Sequence, residues 1–140
     1  MTAIASPPSP DEPVPVTASE DPARRRSRLR LGALMLVAGG MHFVAPKPFD
    51  QIIPRRLGHP RFWVYASGVV ELLAGGLLLD RRTARVGGVV TTATIVAVYP
   101  ANIKAAVDAG PPVHPVAALT WLRLPFQVPL FTWALGHARG

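Results

Sequence analysis

The residues of this chain that could support chemistry are few, and they lie inside apolar stretches. Glu71 is the only ionisable residue between Arg61 and Asp80 in the run RFWVYASGVVELLAGGLLLD, and Arg123 interrupts a second apolar run. A charged side chain inside a hydrocarbon layer costs about 2.5 to 3.5 kcal/mol on insertion scales, so it should face protein and have a partner. We therefore predict that Glu71 and Arg123 lie at similar depth and form an ion pair.

Four further polar residues fall in the same half of the predicted helices, so the candidate site combines acidic, basic, amide and aromatic groups. One interpretation is structural: the ion pair fixes helix register, and the amides hydrogen-bond between helices. The other is functional: the residues line a pocket for a polar or quinone-like head group, or relay a proton. The sequence leaves both open. The candidate residues are His42, Tyr65, Glu71, Asn102, Arg123 and Gln127.

Histidine and cysteine usage narrows the cofactor chemistry. The chain has no cysteine, which excludes disulfides, thiolate metal sites and thiol redox chemistry carried by the chain itself. His42 has no second histidine at comparable depth, because His59, His114 and His137 fall in predicted loops or at the end. A bis-histidine haem is therefore not expected, and no metal site is predicted. We expect His42 to hydrogen-bond to Glu71 or to a backbone carbonyl.

The distribution of charge predicts the elements that position these residues. The 140 residues are 49% hydrophobic, close to the average for soluble proteins, so composition alone does not indicate a membrane. Charges are instead absent from four blocks and concentrated between them, which is typical of a multispanning protein. We predict an all-α integral membrane four-helix bundle with spans at about 29–45, 61–80, 84–104 and 116–135.

The chain divides into a tail and one domain. Residues 1–23 are rich in proline and acidic residues without apolar periodicity, which predicts a disordered cytoplasmic tail ahead of a transmembrane domain at 24–140. Bulky Phe43 and the following Pro46 disfavour cleavage after Ala45, so we expect an uncleaved first span. Basic residues are more numerous beside both termini and the central turn, which predicts a multi-pass protein of the cytoplasmic membrane with both termini cytoplasmic.

The distribution of charge and the positions of the glycines lead to predictions about binding partners. The net charge is +7, but the arginines flank apolar blocks and do not line an amphipathic face, so no nucleic-acid partner is expected. Gly68 and Gly75 share a helical face with Glu71, where a neighbouring backbone can approach closely and a homo-oligomer would be permitted. The hydroxyls of Thr91, Thr92 and Thr94 are expected to bond to carbonyls one turn back.

Several segments resemble the DoxX-like family of small four-helix bacterial membrane proteins. The likeness covers roughly Arg30 to Leu135 and rests on the segments GGMHFVAPKPFDQIIP, VYASGVVELLAGGLLL, VYPANIKAA and RLPFQVPLFTWAL. The residues that carry it are His42, Pro54, Gly68, Glu71, Pro100, Asn102, Arg123, Pro125 and Gln127.

The resemblance implies a helical bundle in the cytoplasmic membrane and a link with membrane redox systems. Members include a subunit of a thiosulfate:quinone oxidoreductase and partners of redox enzymes, and more distant relatives are chaperones of receptor assembly. Members that handle thiols would need cysteine, which this chain lacks. We expect a small accessory or assembly subunit of a quinone-linked redox system that is not an enzyme by itself, with quinone as the possible cofactor. The alternative is a small oligomeric transporter that uses the pair Glu71 and Arg123.

Overall fold

The computed structural model describes residues 20–53 and 57–140, which form helices and turns without a strand. Four helices are long, and a short one, α2, follows the first. The prediction of an all-α protein is confirmed for these residues, and each long helix contains most of one predicted span. The helices are α1 (Pro22–Val44), α2 (Lys47–Asp50), α3 (Pro60–Leu79), α4 (Ala84–Asp108) and α5 (Pro115–Ala138).

Proline determines where three of the long helices begin. Pro22, Pro60 and Pro115 each occupy the first helical position, where the missing N–H would have no intrahelical partner. Before α1, the Asp21 carboxylate accepts hydrogen bonds from the first free backbone amides at 3.3 Å. The predicted tail at 1–23 lies mostly outside the described residues, but its last two residues form the start of α1.

The long helices alternate in direction, so the described termini, namely the start of α1 and the end of α5, lie at the same end of the bundle. Helix α1 packs against α3, α3 against α4, and α4 against α5. The tightly packed core lies in the half of the bundle nearest the termini, where all four long helices contribute. Its buried members are Leu31, Met35, Ala74, Leu78, Ile95 and Ala134.

Glycines bring the backbones of α1 and α3 into direct contact. A Cβ atom added to Gly39 would lie 2.8 Å from the carbonyl oxygen of Gly68 and 2.9 Å from the amide nitrogen of Leu72. A Cβ atom on Gly75 would lie 2.9 Å from the carbonyl oxygen of Gly32. The close approach predicted for this face of α3 is confirmed. Helix α1 of the same chain covers this face, and a homo-oligomer stays a prediction.

Hydrogen bonds tie three helices together at the end that carries the termini. The buried Arg28 guanidinium binds both carboxylate oxygens of Glu20 at 2.9 Å and also donates to the Leu78 carbonyl at the end of α3. The Ser27 hydroxyl lies 3.1 Å from His137 Nε2 on α5. The hydrogen bonds from Arg28 lower the pKa of the Glu20 carboxyl, and burial lowers the pKa of the His137 imidazole.

Two of the described helices, α3 and α4, are long and apolar enough to cross a membrane by length and composition. Only 33% of the residues in the most apolar window of each helix are buried inside the protein. In α1 and α5, Arg28, Arg30 and Arg123 interrupt the apolar sequence. The predicted four membrane spans therefore have four helical counterparts, of which two meet this test.

The glycine contact leads to a stability prediction. Replacing Gly39 by alanine should destabilise the bundle by about 1 to 3 kcal/mol, because the added methyl group meets backbone atoms that cannot rotate away. Replacing the adjacent Gly40 should be neutral or stabilising, because its Cβ atom meets nothing within 4 Å and alanine favours the helix. Thermal melts of Gly39→Ala and Gly40→Ala in mild detergent measure the difference, and equal midpoints would contradict this packing.

Candidate functional site

A polar cavity lies between the four long helices, in the half of the bundle away from the termini. Its volume is about 190 Å³. Its polar lining consists of Glu71 from α3, Thr94 and Asn102 from α4, and Arg123 and Gln127 from α5, and the other lining side chains are apolar. Four of the six residues predicted from sequence therefore converge on one cavity.

Three buried side-chain atoms of this cavity have no hydrogen-bond partner among the described residues. Glu71 Oε2, Asn102 Nδ2 and Gln127 Oε1 have none among the described residues, although these residues are only 8%, 3% and 8% exposed. Each unpaired buried polar group costs roughly 1 to 3 kcal/mol. Native proteins keep few such groups, so three of them around one cavity make this cavity the candidate site.

His42 lies beside Glu71 at the edge of this site. Its Nδ1 atom is 2.9 Å from the Ala38 carbonyl oxygen and 3.5 Å from Glu71 Oε2. The hydrogen bond to Ala38 confirms the expected backbone partner, and because a carbonyl oxygen only accepts, the Nδ1–H group donates to it. The ring of Phe49 stacks on the imidazole with the ring centres 4.0 Å apart. Phe49 was not among the residues predicted from sequence, which shows only that it lies in an apolar segment after α1.

The predicted ion pair between Glu71 and Arg123 is not formed. The Arg123 side chain is exposed on α5 and has no hydrogen bond or ion pair with any residue that the structure describes. Both residues line the cavity, and open space between their side chains explains why no direct ion pair forms. Equal depth along two helices was therefore insufficient to pair the charges, and the guanidinium remains available to a bound molecule.

Two larger cavities adjoin the polar cavity on the side of α2. Each has a volume of about 460 Å³, and both share Asn102, Arg123 and Phe49 in their lining. One of them also contains Glu71 and His42 and extends to Trp63, whose indole N–H donates to the Leu57 carbonyl at 2.9 Å. The accessible space therefore continues from the bundle interior to the short helix and the connection that follows it.

Tyr65 lies apart from the other predicted site residues. It is 37% exposed, its ring stacks parallel to Phe43 at 5.2 Å, and its hydroxyl accepts a hydrogen bond of 3.5 Å from Arg61. Arg61 in turn forms an ion pair with Asp50 at the end of α2. These contacts form a surface cluster that holds α2 against α3, and Tyr65 lines none of the cavities described above.

The threonines of α4 are internally satisfied, as predicted. The hydroxyls of Thr91, Thr92 and Thr94 each donate to a carbonyl four residues earlier at 2.8 Å. Thr94 therefore lines the polar cavity without a free hydroxyl hydrogen. In the part of the chain that the structure describes, no three histidine, aspartate or glutamate side chains are grouped as a metal site requires.

The sequence model of a protein family described as a domain of unknown function (DUF8561) matches residues 31–138. The chain belongs to this family. The DUF8561 region includes α1 from residue 31 onward and the whole of the other three long helices, and it contains every residue of the polar cavity. No curated protein and no solved structure matches the chain. The resemblance to the DoxX-like family stays a prediction.

The unpaired groups lead to a second stability prediction. Replacing Gln127 by methionine, which has a similar volume, should stabilise the ligand-free protein by about 1 kcal/mol because it removes a buried acceptor without a partner. The matched control is Gln51→Met, since Gln51 is exposed in the turn after α2 and should tolerate the change. Thermal melts in mild detergent compare the two, and a lower midpoint for Gln127→Met would contradict the assignment of an unpaired amide.

Proposed function

We propose that this chain is a multi-pass protein of the cytoplasmic membrane with four spanning helices. The support comes from the outer surface, where apolar residues on all four long helices face outward. In a soluble protein a core helix as apolar as α3 or α4 is mostly buried, whereas here only one third of each apolar window is buried. Examples of these exposed side chains are Val37, Val44, Leu73, Val86, Val89, Val96, Leu119 and Phe126.

The two ends of the bundle differ in their arginine and tryptophan residues, and this difference supports an orientation across a membrane. Arginines of α1 and of the turn between α3 and α4 lie at the end with the termini, which favours a cytoplasmic location for that end. At the opposite end, Trp63 and Trp121 are exposed, and their indole groups donate to the carbonyls of Leu57 and Gly110 at 2.9 Å. Such half-buried tryptophans are typical of a membrane–water boundary.

We propose that the polar cavity binds the hydrogen-bonding head of a membrane-soluble ligand of the quinone class. The observation that carries this proposal is the set of three unpaired buried atoms in one cavity. Asn102 Nδ2 and the Arg123 guanidinium offer hydrogen-bond donors, while Glu71 and Gln127 Oε1 offer acceptors. A ring with oxygen substituents satisfies the donors through its oxygens, and in its reduced form its hydroxyls satisfy the acceptors as well.

We propose further that the protein serves a membrane redox complex as a small accessory or assembly subunit. The support is the DoxX-like resemblance together with the absence of cysteine from the sequence, which leaves thiol exchange to a partner. In this role the chain holds a quinone or a partner protein and does not transfer electrons by itself. The alternative of a small transporter needs an oligomer, and the glycine face that would have permitted one packs against α1.

The membrane topology is tested by reporter fusions in a bacterial host. Fusions after Arg82 and at the C-terminus should be active with a cytoplasmic reporter, and a fusion after Gly110 should be active only with an exported one. Activity of the cytoplasmic reporter at all three positions would contradict the proposed spans, and a uniformly inverted pattern would contradict only the orientation.

The accessory function is tested by affinity isolation of the full chain in mild detergent. We expect a membrane oxidoreductase to co-purify, an organic extract to contain a quinone, and the chain alone to show neither haem nor flavin absorbance. Gln127→Met should keep the protein partner and lose the quinone, while Gly40→Ala, whose added Cβ atom meets nothing within 4 Å, should keep both. If the purified chain is coloured and reduces quinone analogues without a partner, it is an enzyme and not an accessory subunit. If the wild-type preparation contains no quinone, the proposal that the cavity binds a quinone is contradicted.

A further inference from the structure

An apolar groove lies between α4 and α5 and opens on the outer surface of the bundle. Its volume is about 300 Å³. Val96 and Tyr99 of α4 line one side, Val128 and Phe131 of α5 line the other, and the amide of Gln127 is its one polar group that is buried. Val96 and Val128 are 58% and 60% exposed, so the groove is accessible from outside the bundle.

The groove adjoins the polar cavity. Ile95 and Gln127 line both spaces, so these two side chains form the boundary between them. The unpaired Oε1 atom of Gln127 lies at this boundary, with the unpaired amide of Asn102 on the cavity side. A polar space and an apolar space thus meet at a hydrogen-bonding group that has no partner among the described residues.

Packing explains why a groove is present here and not along the whole contact between α4 and α5. Near the termini, a Cβ atom on Gly88 would lie 2.5 Å from the backbone nitrogen of Ala138, so the two backbones touch. Two turns further along α4, valine replaces glycine, and Pro100 lacks the N–H that would bond to the Val96 carbonyl. The helices therefore have no small-residue contact at the level of the groove.

We propose that the groove holds the apolar tail of the same ligand whose head occupies the polar cavity. This inference rests on the proposed function and specifies the ligand class: a lipid-like molecule with an oxygen-substituted ring and a single aliphatic or isoprenoid tail. A ring hydroxyl donates to Gln127 Oε1, a ring oxygen accepts from Asn102, and the tail leaves between α4 and α5. The shared boundary at Gln127 favours this tail over an unconnected acyl chain of the bilayer.

The test compares two probes that differ only in the tail: a decyl benzoquinol and its methyl analogue, titrated calorimetrically against the full chain in mild detergent. The wild type should bind the decyl compound at least tenfold more tightly, since burying two methylenes already contributes about that factor. Val96→Trp, which fills the groove, should remove this advantage and leave the affinity for the methyl compound unchanged.

The matched control is Val89→Trp. Val89 lies two helical turns from Val96 on the same face of α4, is 52% exposed, and does not line the groove, so this variant should behave as the wild type. Equal affinities of the two probes for the wild type would contradict the binding of the tail in the groove, which bilayer lipid would then fill. This outcome would leave the head-group site in the polar cavity unchanged. A tail advantage that persists in Val96→Trp would also contradict the binding of the tail in the groove. Binding of neither probe would overturn the proposed function itself.

Discussion

The backbone contact between α1 and α3 is the constraint on which the rest of the structure depends. A Cβ atom at Gly68 would lie 2.8 Å from the Cβ atom of His42, so only a glycine there lets α1 approach closely enough. Because Glu71 lies one turn beyond Gly68, the same approach brings the His42 imidazole to 3.5 Å from the carboxylate. A packing contact between small residues thereby determines which residue faces the acidic group.

The bundle divides into a half that is packed and a half that is open. Near the termini, Leu31, Leu78 and Ala134 are fully buried, and Arg28 closes the end of α3. In the other half, cavities surround Glu71 and Asn102, and polar atoms remain unpaired at a cost in stability. A protein that keeps its unsatisfied groups together in one half, supported by a tight core in the other, has the arrangement expected of a binding site on a rigid scaffold.

The membrane proposal and the ligand proposal support each other physically. In a hydrocarbon layer the outward apolar side chains are solvated, and the interior becomes the one place where polar groups can lie. In that case a ligand that dissolves in the membrane approaches the cavity laterally, and the groove between α4 and α5 adjoins the cavity at Gln127. The exposed Arg123 lines the cavity, where a polar head would gain a charged hydrogen-bond donor.

The sequence by itself determined the helices and the candidate residues, because gaps in charge, prolines at helix starts and glycine spacing are local signals. It placed Glu71, Asn102 and Gln127 in the same half of the bundle, and the structure brings them to one cavity. Only the tertiary structure decided that Glu71 faces His42 and not Arg123, that Tyr65 lies apart, and that Phe49 covers His42. Depth follows from counting residues along a helix, whereas pairing depends on helix rotation and on the volume left between side chains, which no single helix encodes.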